Sequence, residues 1–385
     1  MSEIKANKIS PAIGTDVTMG DSGDTFTIPA GATIVNSGTA TGFGEITKSA
    51  SDPLITTNPA GGLGTIWLNT TSGELFSCTD ATADDNIWTN TGEGTGNVSN
   101  PIVATGGTIT TDGDFKVHTF TTSSQFIITS GSGTADYLVV AGGGGSICWN
   151  AGGGGAGGLR STMTNTGGGA SLESALSVTT QSYTVTVGAG GAGATTHVEA
   201  AFPALAGQTN GEDSVFGSIT SLGGGLASYD TSPAPTGGSG AGSSFDRVPG
   251  SGTAGQGYAG GQGANSVPYQ AGGGGAGAVG GIPSGGQGGN SGSGGVGVAV
   301  AITGSSVFYA GGGGGGGATN AGGNWNPGSG GNGGGGTGTV NAPNSGNNGT
   351  ANTGGGGGAS GRQTNTFFAS GAGGSGVVII RYRFQ

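Results

Sequence analysis

The sequence has few of the residues on which catalysis and charged-ligand binding depend. Only 9 of its 385 residues are lysine or arginine, 2 are histidine and 2 are cysteine, and charged residues make up 8%. A net charge of −11 leaves no basic face for nucleic acid or for anionic lipid. The charge therefore argues against nucleic-acid binding. No stretch of about 18 apolar residues occurs, so the sequence predicts no membrane-spanning helix.

The sequence also has few side chains that could bind a metal or a cofactor. Cys78 and Cys148 lie in different regions, and we expect two free thiols in a chain made in a reducing cytoplasm. His118 alternates with apolar residues and is interpreted as a surface residue of a strand. Asp84-Asp85 and Asp112-Gly113-Asp114 are interpreted as turns, which leaves a weak surface Ca²⁺ open. We therefore expect no metal, no cofactor and no catalytic residues.

Glycine dominates what is present, with 98 residues, many of them in blocks that follow short strands. Tyr137–Ala141, for example, runs directly into Gly142–Gly145. Flexible linkers do not need the alternating valines found between the blocks. Collagen needs glycine at every third residue, which the unbroken run Gly311–Gly317 excludes.

The remaining interpretation is polyglycine II, an extended left-handed helix with three residues per turn. Such a helix has no internal hydrogen bonds, so its backbone groups must pair with neighbouring helices once water is excluded. Only a hydrogen side chain lets the backbones approach that closely. Alanine is the usual interruption of the blocks, as at Ala156 and Ala276, and its methyl group fits a small gap where a charge would not.

The chain divides into three regions in this interpretation: residues 1–46 with short strands, a β-hairpin module at 47–98, and a glycine-rich domain at 99–385. The fold class is all-β: an antiparallel β-sandwich with an inserted polyglycine-II helix bundle, preceded by small β modules. Arg381–Phe384 is predicted to lie on an edge strand with its arginines outward. The predicted strands of the domain are Phe115–Thr121, Gln125–Ile128, Tyr137–Ala141, Tyr183–Val187, Ser214–Leu222, Val296–Thr303, Val307–Ala310 and Val377–Tyr382.

Several segments resemble tail-fibre proteins of marine tailed phages. The virion-proximal start of such fibres is similar to Ser2–Pro11 and Gly20–Ala32. A small module of the same proteins is similar to Gly64–Asn69 together with Ser72–Phe76 and Asn86–Asn90. Tyr137–Gly145 and the ending Gly374–Tyr382 resemble the glycine-rich domain of phage tail adhesins, and a related arrangement occurs in the extracellular glycine-rich domain of the anaplastic lymphoma kinase receptor.

This resemblance implies a receptor-binding tail fibre of the virion, made in the host cytoplasm. Residues 1–46 would attach to other phage tail proteins, the chain would form a homotrimer, and the glycine-rich end would bind a host polysaccharide or outer-membrane protein. In adhesins of this kind, glycine helices form a scaffold and the loops between them carry specificity.

A glycine scaffold cannot itself discriminate a ligand, so the interruptions between its blocks are the candidate receptor-binding loops. Aromatic rings there offer flat faces to sugars, and amides bind hydroxyls. Trp325 between two asparagines is the first choice, whereas Tyr309 is assigned to the core. The candidate residues are Trp149, Tyr229, Tyr258, Tyr269, Asn324, Trp325, Asn326, Phe367 and Phe368.

Two alternatives to an adhesin remain at this stage. A structural capsid or tail decoration fibre would have the same fold without a dedicated receptor. A polysaccharide depolymerase would need clustered carboxylates, for which Glu199, Glu212 and Asp213 are the one candidate group. In the hairpin module, Trp67 and Trp88 are predicted to form a small core rather than a sugar platform.

Overall fold

The computed structural model describes residues 46–92, 101–148, 151–195, 197–198, 207–227, 233–264, 270–285, 288–320, 323–340, 345–363 and 366–384. The chain separates into two compact units, Met1–Val98 and Ser99–Gln385. The virion-attachment region predicted at 1–46 falls almost wholly outside the described residues. Each unit is described by itself.

The first unit contains a four-stranded sheet in the order β1-β2-β3-β4. Its strands are β1 (Ile46–Ser49), β2 (Ile66–Asn69), β3 (Leu75–Asp80) and β4 (Ile87–Gly92). β2 and β3 form the predicted hairpin, and the Asn69 side chain accepts hydrogen bonds from the amides of the turn. Trp67 and Trp88 are half-buried and meet edge to face at 5.7 Å. Their indole N–H groups donate to backbone carbonyls, which ties both rings to the module.

The second unit begins with a sandwich of two sheets. The inner sheet has the order β10-β9-β22-β7-β6, with β11 also paired to β9, and the outer sheet has the order β15-β14-β12-β8-β5. The inner strands are β6 (Thr108–Asp112), β7 (Phe115–Phe120), β9 (Gly133–Val140), β10 (Leu159–Ser161), β11 (Leu176–Val178) and β22 (Val377–Arg383). The outer strands are β5 (Val103–Thr105), β8 (Ser124–Ser130), β12 (Ser182–Thr186), β14 (Ser214–Phe216) and β15 (Ile219–Ser221).

β22 of the inner sheet is buried on both faces, whereas the edge strand β6 is largely exposed. Along β22, Val378 and Ile380 pack with the outer sheet, whereas Val377 and Ile379 pack against a second apolar cluster. That second cluster includes alanines of the glycine segments and the hairpin of β16 (Val298–Val300) and β17 (Val307–Tyr309). Tyr309 is buried there, as predicted. The sandwich therefore supports the glycine-rich part through one sheet.

The predicted edge position of Arg381–Phe384 is wrong. β22 lies at the centre of the inner sheet, paired with β9 on one side and β7 on the other. Arg381 forms an ion pair with Asp112 at 3.2 Å and stacks over the ring of Phe115 at 4.0 Å. The alternating residues correctly predicted a strand. Its place in the sheet was not predicted, because the last strand of a chain can be inserted between two earlier strands.

His118 is also placed differently from the prediction, because it is fully buried rather than exposed. Its Nδ1 lies 2.7 Å from the carbonyl oxygen of Gly106, and its Nε2 lies 3.1 Å from the hydroxyl of Tyr382. The ring packs edge to face on Phe126 at 5.0 Å. Burial lowers the pKa of His118 below its ordinary value, so the neutral ring is favoured.

Two predicted strands are shorter than expected. Ser214–Leu222 is divided by a two-residue turn at Gly217-Ser218, where Gly217 has a positive φ of 56°. In Val296–Thr303 only the strand β16 forms. Val296 and Gly297 instead exchange hydrogen bonds with neighbouring glycine segments, so the glycine run continues to that point.

The glycine segments repeat every three residues, as polyglycine II requires. In the central segment, residues 151–158, each successive N–H points to a different neighbour, and the fourth returns to the first. The donor to acceptor pairs are Gly153 to Ala271, Gly154 to Gly357, Gly155 to Gly225, Ala156 to Gly274, Gly157 to Gly354 and Gly158 to Leu222, all between 2.8 and 3.0 Å. The structure thus contains the predicted helix type.

Six segments surround the central one as a closed ring. Three of them accept its N–H groups, and the other three donate to its carbonyls. In ring order the six are 141–147, 222–227, 239–243, 270–277, 310–318 and 354–360, and each is hydrogen-bonded to the next. All of these bonds lie within one chain, so the helices pair intramolecularly.

Glycine is required at the middle of this ring by direct contact. A methyl group added at Gly153 or Gly154 would overlap the carbonyl oxygen of Gly313 or Gly144. Backbone hydrogen bonds at this spacing replace the apolar core of an ordinary domain. The same contact explains why alanine interrupts the blocks near their ends, where Ala156 and Ala151 join apolar clusters.

Candidate receptor-binding end

Successive glycine segments run in opposite directions, so the connections between them alternate between two ends of the bundle. One end meets the sandwich, since β9, β12 and β15 lead into segments there and β10 and β22 leave from it. We call the opposite end the distal end. Its described segment ends are Cys148, Ala151, Ala194, Ala227, Ala234, Ser243, Ala264, Gln270, Asn290, Ala318, Trp325, Val340, Ser360 and Ser370.

Small apolar residues and hydroxyls close the distal end of the segments. Ala151 lies in a cluster with Ile147 and Cys148, and burial raises the pKa of the Cys148 thiol. Both this thiol and that of Cys78 are free, as predicted. Ser370 donates to the carbonyl of Ser146. These contacts satisfy backbone groups that the glycine pattern leaves unpaired at its end.

A small sheet joins several distal connections. It has the order β13-β21-β20-β18-β19. Its strands are β13 (His197–Val198), β18 (Ala318–Asn320), β19 (Gly323–Trp325), β20 (Arg362–Gln363) and β21 (Thr366–Phe367). Loops that are far apart in sequence are therefore held together by backbone bonds at this end.

Trp325, the first choice for receptor contact, is only 2% exposed. It packs on Ala318 and Ala264, which end two different glycine segments. The indole is therefore buried rather than exposed, and a role of Trp325 in receptor binding stays a prediction. Its flanking asparagines suggested a wet surface, but the hairpin of β18 and β19 turns the indole onto the segment ends.

The two asparagines that flank Trp325 lie in different surroundings from the indole. Asn326 is exposed and its Nδ2 donates to Oδ1 of Asn290, which is also exposed, at 3.0 Å. Asn324 lies in β19, opposite Thr319 in β18. One predicted asparagine thus lies at the rim of the distal end, beside a partner that the sequence analysis missed.

The other candidates divide by position. Phe367 lies in β21, and Phe368 is half-buried beside it, so both belong to the distal end. Tyr258 does not: it starts a segment at the sandwich end, where a methyl group at Gly169 would contact its hydroxyl. Its segment begins after the turn at 253–256, and this connection belongs to the opposite set. Trp149, Tyr229 and Tyr269 lie outside the described residues.

Charge is sparse among the described residues of the distal end. Asp246 accepts a hydrogen bond from the neutral amide of Gln262 at 3.1 Å. Within the described ranges no group of three metal-ligating side chains occurs, and no helix is long and apolar enough to cross a bilayer. Neutral amides, hydroxyls and aromatic rings are the available binding chemistry.

The sequence matches the glycine-rich domain family over residues 118–383, more than half of the chain. The chain belongs to the glycine-rich domain family. A comparison with curated proteins gives no match. The family range begins within β7 and ends with β22, so it includes the glycine segments and most of the sandwich.

Sequence reasoning missed the connection around Asn290 and misplaced Tyr258. The sequence contained the information needed to place both. Each glycine run crosses the bundle once, so successive connections must lie at opposite ends. Counting the runs assigns the turn before Tyr258 to the sandwich end and the connection before Ser291 to the distal end.

Proposed function

We propose that this chain is a receptor-binding fibre protein of a tailed phage, which attaches to host cells through its distal end. The observation that carries the proposal is the geometry of the bundle. Backbone-bonded glycine segments bring many connections to one end, far along the chain from the N-terminal region. A rigid scaffold with loops at one end is suited to recognition.

The proposal extends to partners and assembly. Residues 1–46 attach the chain to other tail proteins, and three copies form the fibre. The receptor is a surface polysaccharide or an outer-membrane protein, and recognition proceeds without catalysis. The resemblance of Ser2–Pro11 to virion-proximal fibre segments supports attachment at the N-terminal end.

Binding of the fluorescently labelled full chain to a panel of marine Gram-negative strains tests the proposal. A variant at two of the predicted receptor-contact residues, Trp149→Ala with Tyr269→Ala, is compared with Phe308→Ser, which removes an aromatic ring 40% exposed on the sandwich-end hairpin. We expect saturable binding to some strains, weakened by the double variant alone. Binding equally reduced by Phe308→Ser, or absent from every strain, would favour the structural decoration fibre.

A further inference from the structure

Gln270 is the most unusual polar residue of the distal end. Its side chain is fully buried, yet neither Oε1 nor Nε2 has a hydrogen-bond partner among the described residues. A buried amide left in this state lowers the stability of the fold. The presence of an unpartnered buried amide therefore needs an explanation, and one explanation is a ligand that forms the missing hydrogen bonds.

The three-residue repeat shows where this amide points. Gln270 begins the segment 270–277, and its carbonyl accepts from Gly292 of a neighbouring segment. Three residues on, a methyl group at Gly273 would meet the carbonyl of Gly154 in the central segment. Side chains three apart share a direction, so Gln270 faces the same segment one turn nearer the distal end, at Ala151.

Trp325 lies at the same end of the bundle, beside segment 270–277. The indole packs on Ala264 and Ala318, and the segments that end at these two residues both hydrogen-bond to segment 270–277. The ring therefore lies near the end of the segment that begins with Gln270. The exposed pair Asn290 and Asn326 adjoins it, since Ser291 donates to the carbonyl of Asn326.

We propose that the distal end contains a subsite for a neutral sugar unit, formed by the Gln270 amide, the Trp325 indole and the Asn290–Asn326 pair. An aromatic face beside neutral amides matches a sugar, which has an apolar ring face and hydroxyls that both donate and accept. The sugar enters as the indole moves off Ala264, and its hydroxyls complete the bonds of Gln270. The subsite specifies the receptor class of the proposed function and rests on it.

Saturation-transfer NMR on the full chain tests the subsite with glucose, galactose, mannose and N-acetylglucosamine as probes and galacturonate as the charged comparison. Gln270→Met keeps the length of the side chain and removes both polar atoms. Gln262→Met is the matched control, because Gln262 bonds to Asp246 outside the subsite. We expect at least one neutral sugar to bind the parent and the control, and to bind Gln270→Met at least tenfold more weakly.

Thermal unfolding separates a binding role from a structural one. Removal of an unpartnered buried amide leaves the midpoint of Gln270→Met unchanged or raises it, whereas removal of a structural hydrogen bond lowers it. Asn326→Ala, at the exposed rim, gives a second binding test that does not depend on the core. We expect it to weaken sugar binding without a change in the midpoint.

Four results would overturn the subsite: no neutral sugar binds, galacturonate binds better, Gln270→Met binds as the parent does, or its midpoint falls. Cell binding distinguishes failure of the sugar subsite from failure of the proposed receptor-binding function. A chain that still binds cells but no neutral sugar retains the proposed function and loses this subsite. A chain that binds sugar but no cell loses the proposed function.

Discussion

At the centre of the bundle, the hydrogen side chain of Gly154 decides whether the segments can pair. An added methyl group would overlap the carbonyl oxygen of Gly144, and no flexible side chain is there to move aside. Gly154→Ala should therefore destabilise the domain by more than about 3 kcal/mol, or prevent its folding.

Gly133→Ala is the matched control for that change. Gly133 is exposed, and the nearest atom to an added methyl is the flexible end of Ile102 at 3.3 Å. We expect this variant to unfold within about 0.5 kcal/mol of the parent. Equal unfolding free energies for the two variants in urea, followed by circular dichroism, would show that the close segment contacts are wrong.

His118 gives a pH-dependent prediction. Burial lowers its pKa in the folded state, so below about pH 6.5 the unfolded chain binds a proton that the folded chain does not. Stability from this residue is present above pH 6.5 and is lost as the pH falls toward the lowered folded pKa. Lys116 adds a smaller effect in the same direction.

Urea unfolding at pH 7.5 and pH 5.5 checks this point, with His118→Gln as the comparison. The parent should lose more unfolding free energy between the two pH values than the variant, which has no imidazole to protonate. An equal loss in both proteins would mean that His118 titrates alike in the folded and unfolded chain.

Among the elements, β22 holds the sandwich together, because it lies between β7 and β9 and is buried on both faces. Ile380→Ala should cost about 2 to 5 kcal/mol of unfolding free energy. Leu172→Ala removes a similar side chain that is 57% exposed and should cost under about 0.5 kcal/mol. Similar losses from both variants in a urea titration would contradict the central position of the strand.

The glycine segments also have a register that can be tested. One glycine inserted after Gly314 turns every later N–H by one third of a turn, away from its partners, while three inserted glycines restore the direction. Gly317, for instance, would no longer face Thr339. We expect the single insertion to reduce the unfolding midpoint more than the triple insertion, and the reverse order would argue against a three-residue repeat.

Much of this element pattern was predictable from sequence, for physical reasons. Alternating valines fixed the strands, and unbroken glycine runs left polyglycine II as the remaining regular structure. The central place of β22 was not predictable, because strand order depends on pairing between distant residues. The burial of Trp325 was missed for a similar reason: its partners Ala264 and Ala318 lie at the ends of other segments.

At the scale of the whole molecule, the glycine-rich domain is stabilised in two ways. The sandwich buries aromatic and branched side chains, whereas the bundle is held by backbone hydrogen bonds between segments. The sequence indicated both parts, but not that the bundle closes within a single chain. That closure lets one chain fix the positions of its distal connections before any assembly.

Amide hydrogen exchange of the full chain, read by mass spectrometry, tests this central claim most directly. Residues 152–158 contain no α-helix or β-strand, yet each of their N–H groups from Gly153 to Gly158 is bonded and buried. The account predicts that these amides exchange as slowly as those of β9 and β22. Exchange within seconds, as in a glycine linker, would contradict the scaffold on which the proposed recognition site depends.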